Sequence, residues 1–390
     1  MSPKRISVRL NVIANYMGTF CQALLGFAFI PLYIKYLGIE NYGLIGFSVS
    51  LTALFRLVDL GLSATLNREL ARYSALPESA QPMRNLLKTL QAVYWVISLL
   101  FGLVIVLCAP LIVRYWINIG SLDPSAVQNA VMMMGLTIAC QGPMSLYLGG
   151  IFGLQRHILV NAINIVFAAL RFGGAALALA FISPTLTMFF AFQLVVTFMG
   201  ALCSGMALWS FLPDAKTRAR FDKLQLMSVW RFAAGMSVNS VLWLILSQLD
   251  KIILIKILPL KMFGYYALAG TAAAALSYLG GPLFNAFLPR YTQLYAAGNV
   301  ELLRTTYRNS CRLNAIIIIP TVVLLACFSR EALLIWTGNP ELADQAYLLL
   351  SFLVIGHGLN HLALLPFALQ VATGWVQLGV YTNVTALIFY

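Results

Sequence analysis

Eleven times along this chain a run of about 20 mostly apolar residues recurs, and each run is long enough to cross a bilayer as a helix. The runs are 11–34, 42–65, 91–113, 126–152, 159–182, 186–212, 232–257, 263–288, 313–335, 345–369 and 374–390. Charge confirms that they face lipid rather than a soluble core. Only 9% of the residues are charged, against roughly a quarter in a soluble domain. Too few charges exist to cover a water-facing surface. The predicted fold class is therefore all-α and polytopic, with eleven spans visible. The last run is still apolar at Tyr390, so a twelfth span is expected to be missing.

The net charge of +13 does not mark a nucleic-acid binder, because the basic residues are spaced between apolar runs instead of clustering on one folded face. They follow membrane topology. With the N-terminus inside, seventeen Lys and Arg fall on inner connections, five on outer ones and three within the spans. That asymmetry is the positive-inside pattern, and it predicts a cytoplasmic N-terminus. The first run has basic residues before it, Lys4, Arg5 and Arg9, but is too long for a signal-peptide core and lacks a small-residue cleavage site. It reads as a retained helix. The six cysteines are widely separated and form no CxxC or Cys/His cluster, so neither disulfides nor a metal or other cofactor is expected.

The chain divides at a basic connection, residues 213–231, PDAKTRARFDKLQLMSVWR. Before it lies an N-terminal lobe of six spans (1–212); after it lies a C-terminal lobe that is incomplete (232–390). Shifting the chain by 221 positions places Lys35 on Lys256 and Tyr42-Gly43 on Phe263-Gly264. Repeats of this kind are common in secondary transporters, whose substrate site lies between them.

Five ionisable residues fall inside the spans: Arg56, Asp59, Arg171, Asp250 and Lys251. Charges at such depth are costly and face a wet or paired interior. Arg171 is roughly 16–18 Å from either end of its span at 1.5 Å per residue, too deep to reach an interface. It is the first candidate for contact with an anionic substrate. Arg56 and Asp59 share a helix face at i, i+3 and can pair locally; Arg56 is alternatively a second phosphate contact. Asp250 and Lys251 point about 100° apart. Lys251 either snorkels or faces the cavity, while the short Asp250 needs an interior partner and is the candidate for ion coupling, with Asp59 the second. His357 and His361 are at i, i+4 with Asn360 between them. Without a third ligand or an HExxH pattern they read as cavity lining rather than a metal site. Gly and Pro interrupt several spans, as at Pro31, Gly142-Pro143, Gly280-Gly281-Pro282 and Pro366. Aromatic flanks such as Tyr115-Trp116 and Trp336 read as interfacial anchors.

Four segments carry a family resemblance: FIPLYIKYLGIENYGLIGF (29–47), VDLGLSATLNRELARY (58–73), LDKIILIKILPLKMFGYYALA (249–269) and LIWTGNPELADQAYLLLSFLVIGHGLN (334–360). With them the chain resembles the bacterial polysaccharide or O-antigen flippases (Wzx type) of the multidrug/oligosaccharidyl-lipid/polysaccharide exporter superfamily. The resemblance implies a two-lobed, MATE-like helical bundle in the bacterial inner membrane. It implies alternating access that moves an undecaprenyl-pyrophosphate-linked oligosaccharide between leaflets, and it implies no enzyme activity. The implied partners are that lipid-linked substrate, membrane lipids, and a polysaccharide polymerase with its chain-length regulator. Arg suits a pyrophosphate because it bonds phosphate bidentately. Two other classes stay open: a drug/cation antiporter of similar fold, and a membrane-embedded glycan polymerase or transferase. The first favours acids over Arg within the spans; the second needs sizeable outer loops with catalytic groups.

Overall fold

The structure is a computed structural model that describes residues 8–58, 62–74, 80–120, 122–215, 217–227 and 238–373, with six further positions between 375 and 385. For 8–16, 56–58, 238–245 and scattered other positions, side chains are not among those described. Arg56 and Asp59, two of the predicted site residues, therefore lie outside the described side chains.

Every regular element among the described residues is helical. Helices α1 (Val8–Ala28) and α2 (Ile30–Val58) meet at a 45° bend. Pro31 explains the break, since it has no N–H for the carbonyl four residues back. Within α2 the backbone leaves helical geometry at Gly38 (φ 81, ψ 163), a region open essentially to glycine alone. The two stretches on either side of Gly38 correspond to the first two apolar runs. Next come α3 (Leu62–Ser74), α4 (Ala80–Tyr115) and α5 (Pro124–Gly153). A continuous rod follows, made of α6 (His157–Ala169), a π-helical turn (Leu170–Gly174) and α7 (Ala175–Phe181). Then come α8 (Leu186–Phe211), α9 (Val238–Ile257), α10 (Leu260–Ala274), α11 (Ser277–Ala296) and α12 (Val300–Cys327). The last three are α13 (Ser329–Thr337), α14 (Pro340–Leu362) and α15 (Leu364–Ala372).

Among the described residues seven helices are long and apolar enough to cross a membrane, or eight when the bent α1–α2 pair counts as one span. Eleven runs were expected. The pair merges two of them, and the run at 374–390 lies mostly outside the described residues. The run at 232–257 is described only from Val238 onward. Boundaries also move. The run at 313–335 is split: α12 starts thirteen residues earlier, at Val300, and stops at Cys327 before the short α13. Its early turns carry Arg304, Arg308 and Arg312, so a helix continues beyond the apolar run wherever its polar face meets water.

Helix α4 shows how the bundle is layered. Leu87, Leu90, Tyr94, Gly102, Ala109 and Val113 are buried, while Val96, Leu100, Leu103, Leu107 and Leu111 on the opposite face are all more than half exposed. An apolar face left open at this scale belongs against lipid. On the buried side α4 packs along α5, where Gly102 and Gly135 let the backbones close; a Cβ on Gly102 would lie 2.7 Å from the Gly135 carbonyl oxygen. Small residues at such crossings are the usual means of tight packing between membrane helices.

Helices α1 to α8 pack largely among themselves, α5 touching both α4 and α8, and α1 touching α6. Helices α9 to α15 form a second group in which α9 touches α10, α14 touches α10, α12 and α13, and α11 touches α15. Helix α2 bridges the two groups, packing on α9 and α10. Successive long helices reverse direction, so α3, α5, α8 and α11 finish towards one side, which the sequence makes the basic end, and α4, α7, α9 and α13 finish towards the other, the far end.

Candidate functional site

The π-helical turn Leu170–Gly174 places Arg171 where α1, α6 and α8 converge. A π turn inserts a residue and loosens the backbone ladder, and such turns recur at functional sites. Here side chains take up the loosened carbonyls. The Tyr33 hydroxyl of α2 donates to the Phe172 carbonyl at 2.7 Å. The Gln193 amide of α8 donates to the Arg171 carbonyl at 2.9 Å, and its own oxygen accepts from Arg171 Nε at 3.3 Å. Gln193 thus clasps Arg171 at two points, main chain and side chain. Among the described residues no carboxylate pairs with Arg171. The guanidinium instead borders a cavity of about 270 Å³. Gln22, Asn164 and Tyr278 give this cavity polar groups, and Phe167, Phe172 and Met144 give it apolar wall. Tyr278 comes from the second helix group and the rest from the first, so the cavity lies between the two. Its size sits just below the roughly 300–1,000 Å³ of drug-sized ligand pockets, which suits one charged headgroup.

Asp250 and Lys251 occupy the second group. The Tyr266 hydroxyl of α10 donates to Asp250 Oδ2, while Asp250 Oδ1 is buried without a hydrogen-bond partner among the described residues. Lys251 is half-buried and turns back along its own helix, its ammonium 3.4 Å from Gln248 Oε1. His357 on α14 is within electrostatic reach of both charges. Asp250, Lys251, Tyr266 and Gln248 therefore form one polar cluster that joins α9 and α10.

His361 does not belong to it in the same way. It is 8% exposed, its carbonyl accepts from Asn314 Nδ2 at 2.9 Å, and its Nδ1 is buried without a partner beside Gly280. Asn360, between the histidines in sequence, is exposed. Among the described residues no group of three His, Cys, Asp or Glu could hold a metal ion. The basic connection after α8 is more than a solvated loop. Arg84 of α4 pairs with Asp214 at 2.9 Å and donates to the Pro213 carbonyl, while Asn85 and Thr89 accept from the Arg220 and Asp222 backbone.

Reasoning from sequence missed Gln193, Tyr33, Tyr278 and Tyr266. Gln193 had a readable signal, being the one amide and the most polar side chain in an otherwise apolar 26-residue helix. The tyrosines had none, since membrane helices commonly carry them.

The family described as "Polysaccharide biosynthesis protein" matches residues 8–295, and the family described as "MatE" matches residues 236–390. A Shigella flexneri protein named "Putative O-antigen transporter" is 19% identical over 386 residues, which is 99% of this chain and 90% of that protein. Among solved structures, an inward-facing multidrug-resistance MATE transporter of the MOP superfamily aligns with a TM-score of 0.71 at 13% identity, covering 97% of this chain and 88% of that one. An outward-facing structure of a MATE transporter of the same superfamily aligns at 0.59 and 15% identity, covering 97% and 84%. The fold is MATE-like, and both the family and the fold belong to membrane transporters rather than enzymes.

Proposed function

The chain belongs to the polysaccharide biosynthesis protein family, and from that premise we propose that it flips a lipid-linked oligosaccharide repeat unit across the bacterial inner membrane. In this reading the basic end is cytoplasmic, as the positive-inside rule requires. In this reading the cavity takes its substrate from the cytoplasmic side, where such a substrate is assembled. One observation carries the reading: Arg171 is a cation without a carboxylate partner among the described residues, on the wall of a cavity that both helix groups line.

The step itself is binding and carriage. A pyrophosphate brings negative charge into a site of low dielectric, where a guanidinium held in one orientation offers paired N–H donors. Gln193 occupies Nε and the backbone oxygen, and among the described residues no side chain bonds the terminal nitrogens, which leaves them to meet phosphate. Gln22 and Asn164 are placed for neighbouring sugar hydroxyls. The Asp250 cluster is the candidate for coupling to a proton or cation gradient, because an acid with one buried, unsatisfied oxygen gains from taking a positive charge. A polymerase and a chain-length regulator would receive the product.

The test is export of surface polysaccharide by cells carrying Arg171→Ala, with membrane insertion confirmed by topology reporters. Loss of export is expected; full export by an inserted variant would overturn the cationic-cavity reading. A drug/cation antiporter is the second reading, favoured by the MatE match over 236–390 and by Asp250. It predicts that Arg171→Ala spares activity while Asp250→Asn abolishes efflux of organic cations.

A further inference from the structure

The far end is held by contacts that cross between the helix groups, and two of them mirror each other. Trp116, just after α4, donates its indole N–H to the Ile252 carbonyl of α9 at 3.2 Å. Trp336, in the last turn of α13, donates to the Phe27 carbonyl of α1 at 3.1 Å. One bond runs from the first group to the second, the other from the second to the first. The two tryptophans stand 220 positions apart, close to the 221 that relates Gly43 to Gly264. Those two glycines also meet each other's helices: a Cβ on Gly43 would lie 2.7 Å from the Leu260 carbonyl oxygen, and one on Gly264 would lie 2.3 Å from that of Ile39. The backbone of Asn118 adds two bonds to the α9–α10 turn, donating to Ile255 and accepting from Leu260.

We propose that Trp116 and Trp336 are reciprocal latches that keep the far end shut, and that the Trp336 latch is the stronger of the two. Pro31 is the reason for the difference. In a regular helix the Phe27 carbonyl would accept from the residue four places on, but that residue is Pro31 and has no N–H. The indole of Trp336 takes the vacant place. Ile252 has Lys256 four places on within the same helix, so its carbonyl keeps a helical donor when Trp116 leaves. A carbonyl orphaned in a membrane interior is expensive to leave unmade, so opening costs more at Trp336. The Phe27 ring also packs against Trp336 and Tyr278, at 5.5 and 6.5 Å between centroids. Phe27 therefore links the latch to Tyr278, which lines the Arg171 cavity. Aromatic residues that read as interfacial anchors from sequence are here cross-group hydrogen-bond donors.

The proposal rests on the transport reading only in that the far end must open at some stage, and its test uses no substrate. The full chain, with its six cysteines changed to serine, is placed in lipid nanodiscs. Spin labels are attached at Ser125→Cys and Gln345→Cys, exposed far-end positions on the two groups. Trp336→Phe keeps the ring and removes the donor. It is expected to raise the long-distance population about two- to tenfold, the range of one neutral hydrogen bond, and Trp116→Phe is expected to raise it less. Pro31→Ala restores the helical donor to Phe27, so in that background Trp336→Phe is expected to change little. Unchanged distances in Trp336→Phe would overturn the latch, and an undiminished effect in the Pro31→Ala background would overturn the reason given for its strength. Should a labelled pair fail to fold, maleimide labelling of Ala267→Cys, packed against Gly46, reads the same opening. Equal labelling rates in wild type and Trp336→Phe would overturn the proposal equally.

Discussion

Arg171 and Asp250 are both charges set deep in membrane helices, one in each helix group, yet the chain treats them differently. Arg171 sits on a π turn, is clasped at main chain and side chain by one glutamine, and borders a cavity. Asp250 sits on a regular helix, takes one tyrosine hydroxyl, and has a second oxygen buried and unsatisfied. The first arrangement holds a charge in one orientation at the edge of an open space, as the proposed phosphate contact requires. The second leaves an acid short of partners in a packed cluster, which suits a small cation better than a headgroup. The difference teaches that depth in the membrane does not assign a role; the partners do.

Arg171→Ala tests the first half of that comparison and carries the largest expected effect, a fall in transport of about 10- to 100-fold, as loss of a charge-assisted phosphate bond implies. Arg171→Lys is expected to recover only part, because a lysine cannot present the planar fork. Flux of a labelled lipid-linked substrate in proteoliposomes measures both. Gln193→Leu comes next. It leaves the guanidinium in place but removes its clasp, so apparent substrate affinity should fall about fivefold, in the range of one or two lost hydrogen bonds, while far-end distances stay as in wild type. An unchanged affinity would make Gln193 a packing residue only.

Asp250→Asn addresses the other half. Transport at saturating substrate is expected to lose its dependence on an imposed ion gradient while substrate affinity stays within about twofold, the scale of an uncoupled site distant from the change. Gradient dependence identical to wild type would remove Asp250 from coupling. The smallest effect is expected from Tyr266→Phe, which removes one donor to Asp250. A shift of about 1 kcal/mol or less in thermal unfolding and a modest change in ion affinity would follow. If Tyr266→Phe weakened transport more than Asp250→Asn, the hydroxyl rather than the acid would be the working group.

Much of this was legible in the chain as written. The alternation of apolar runs with basic connections announced a polytopic helical bundle, because lipid demands internally bonded backbone. Arg171 was legible for the same reason: no arginine survives at that depth without a purpose or a partner. The short repeat at Tyr42-Gly43 and Phe263-Gly264 was legible as a repeat, but that its two glycines meet came only from the structure. What could not be read was side-chain partnership across helices. Gln193 and Arg171 are 22 positions apart, and Trp336 and Phe27 are 309 apart. Nothing in either local sequence specifies the other. The π turn was equally hidden, since LRFGG continues a helical pattern without a breaker of the proline kind.

The sequence alone determined the class of solvent, the helical backbone, the basic and far ends, and which charges had to be explained. Those follow from transfer energies and backbone hydrogen bonding, which are properties of residues and short windows. Only the tertiary structure decided that Arg171 is clasped and faces a cavity, that Asp250 is half satisfied, and that two tryptophans bond across the far end. Each of these depends on carbonyls and amides brought within about 3 Å of one another by packing, a distance that hydrogen bonding resolves sharply and that no spacing along the chain encodes.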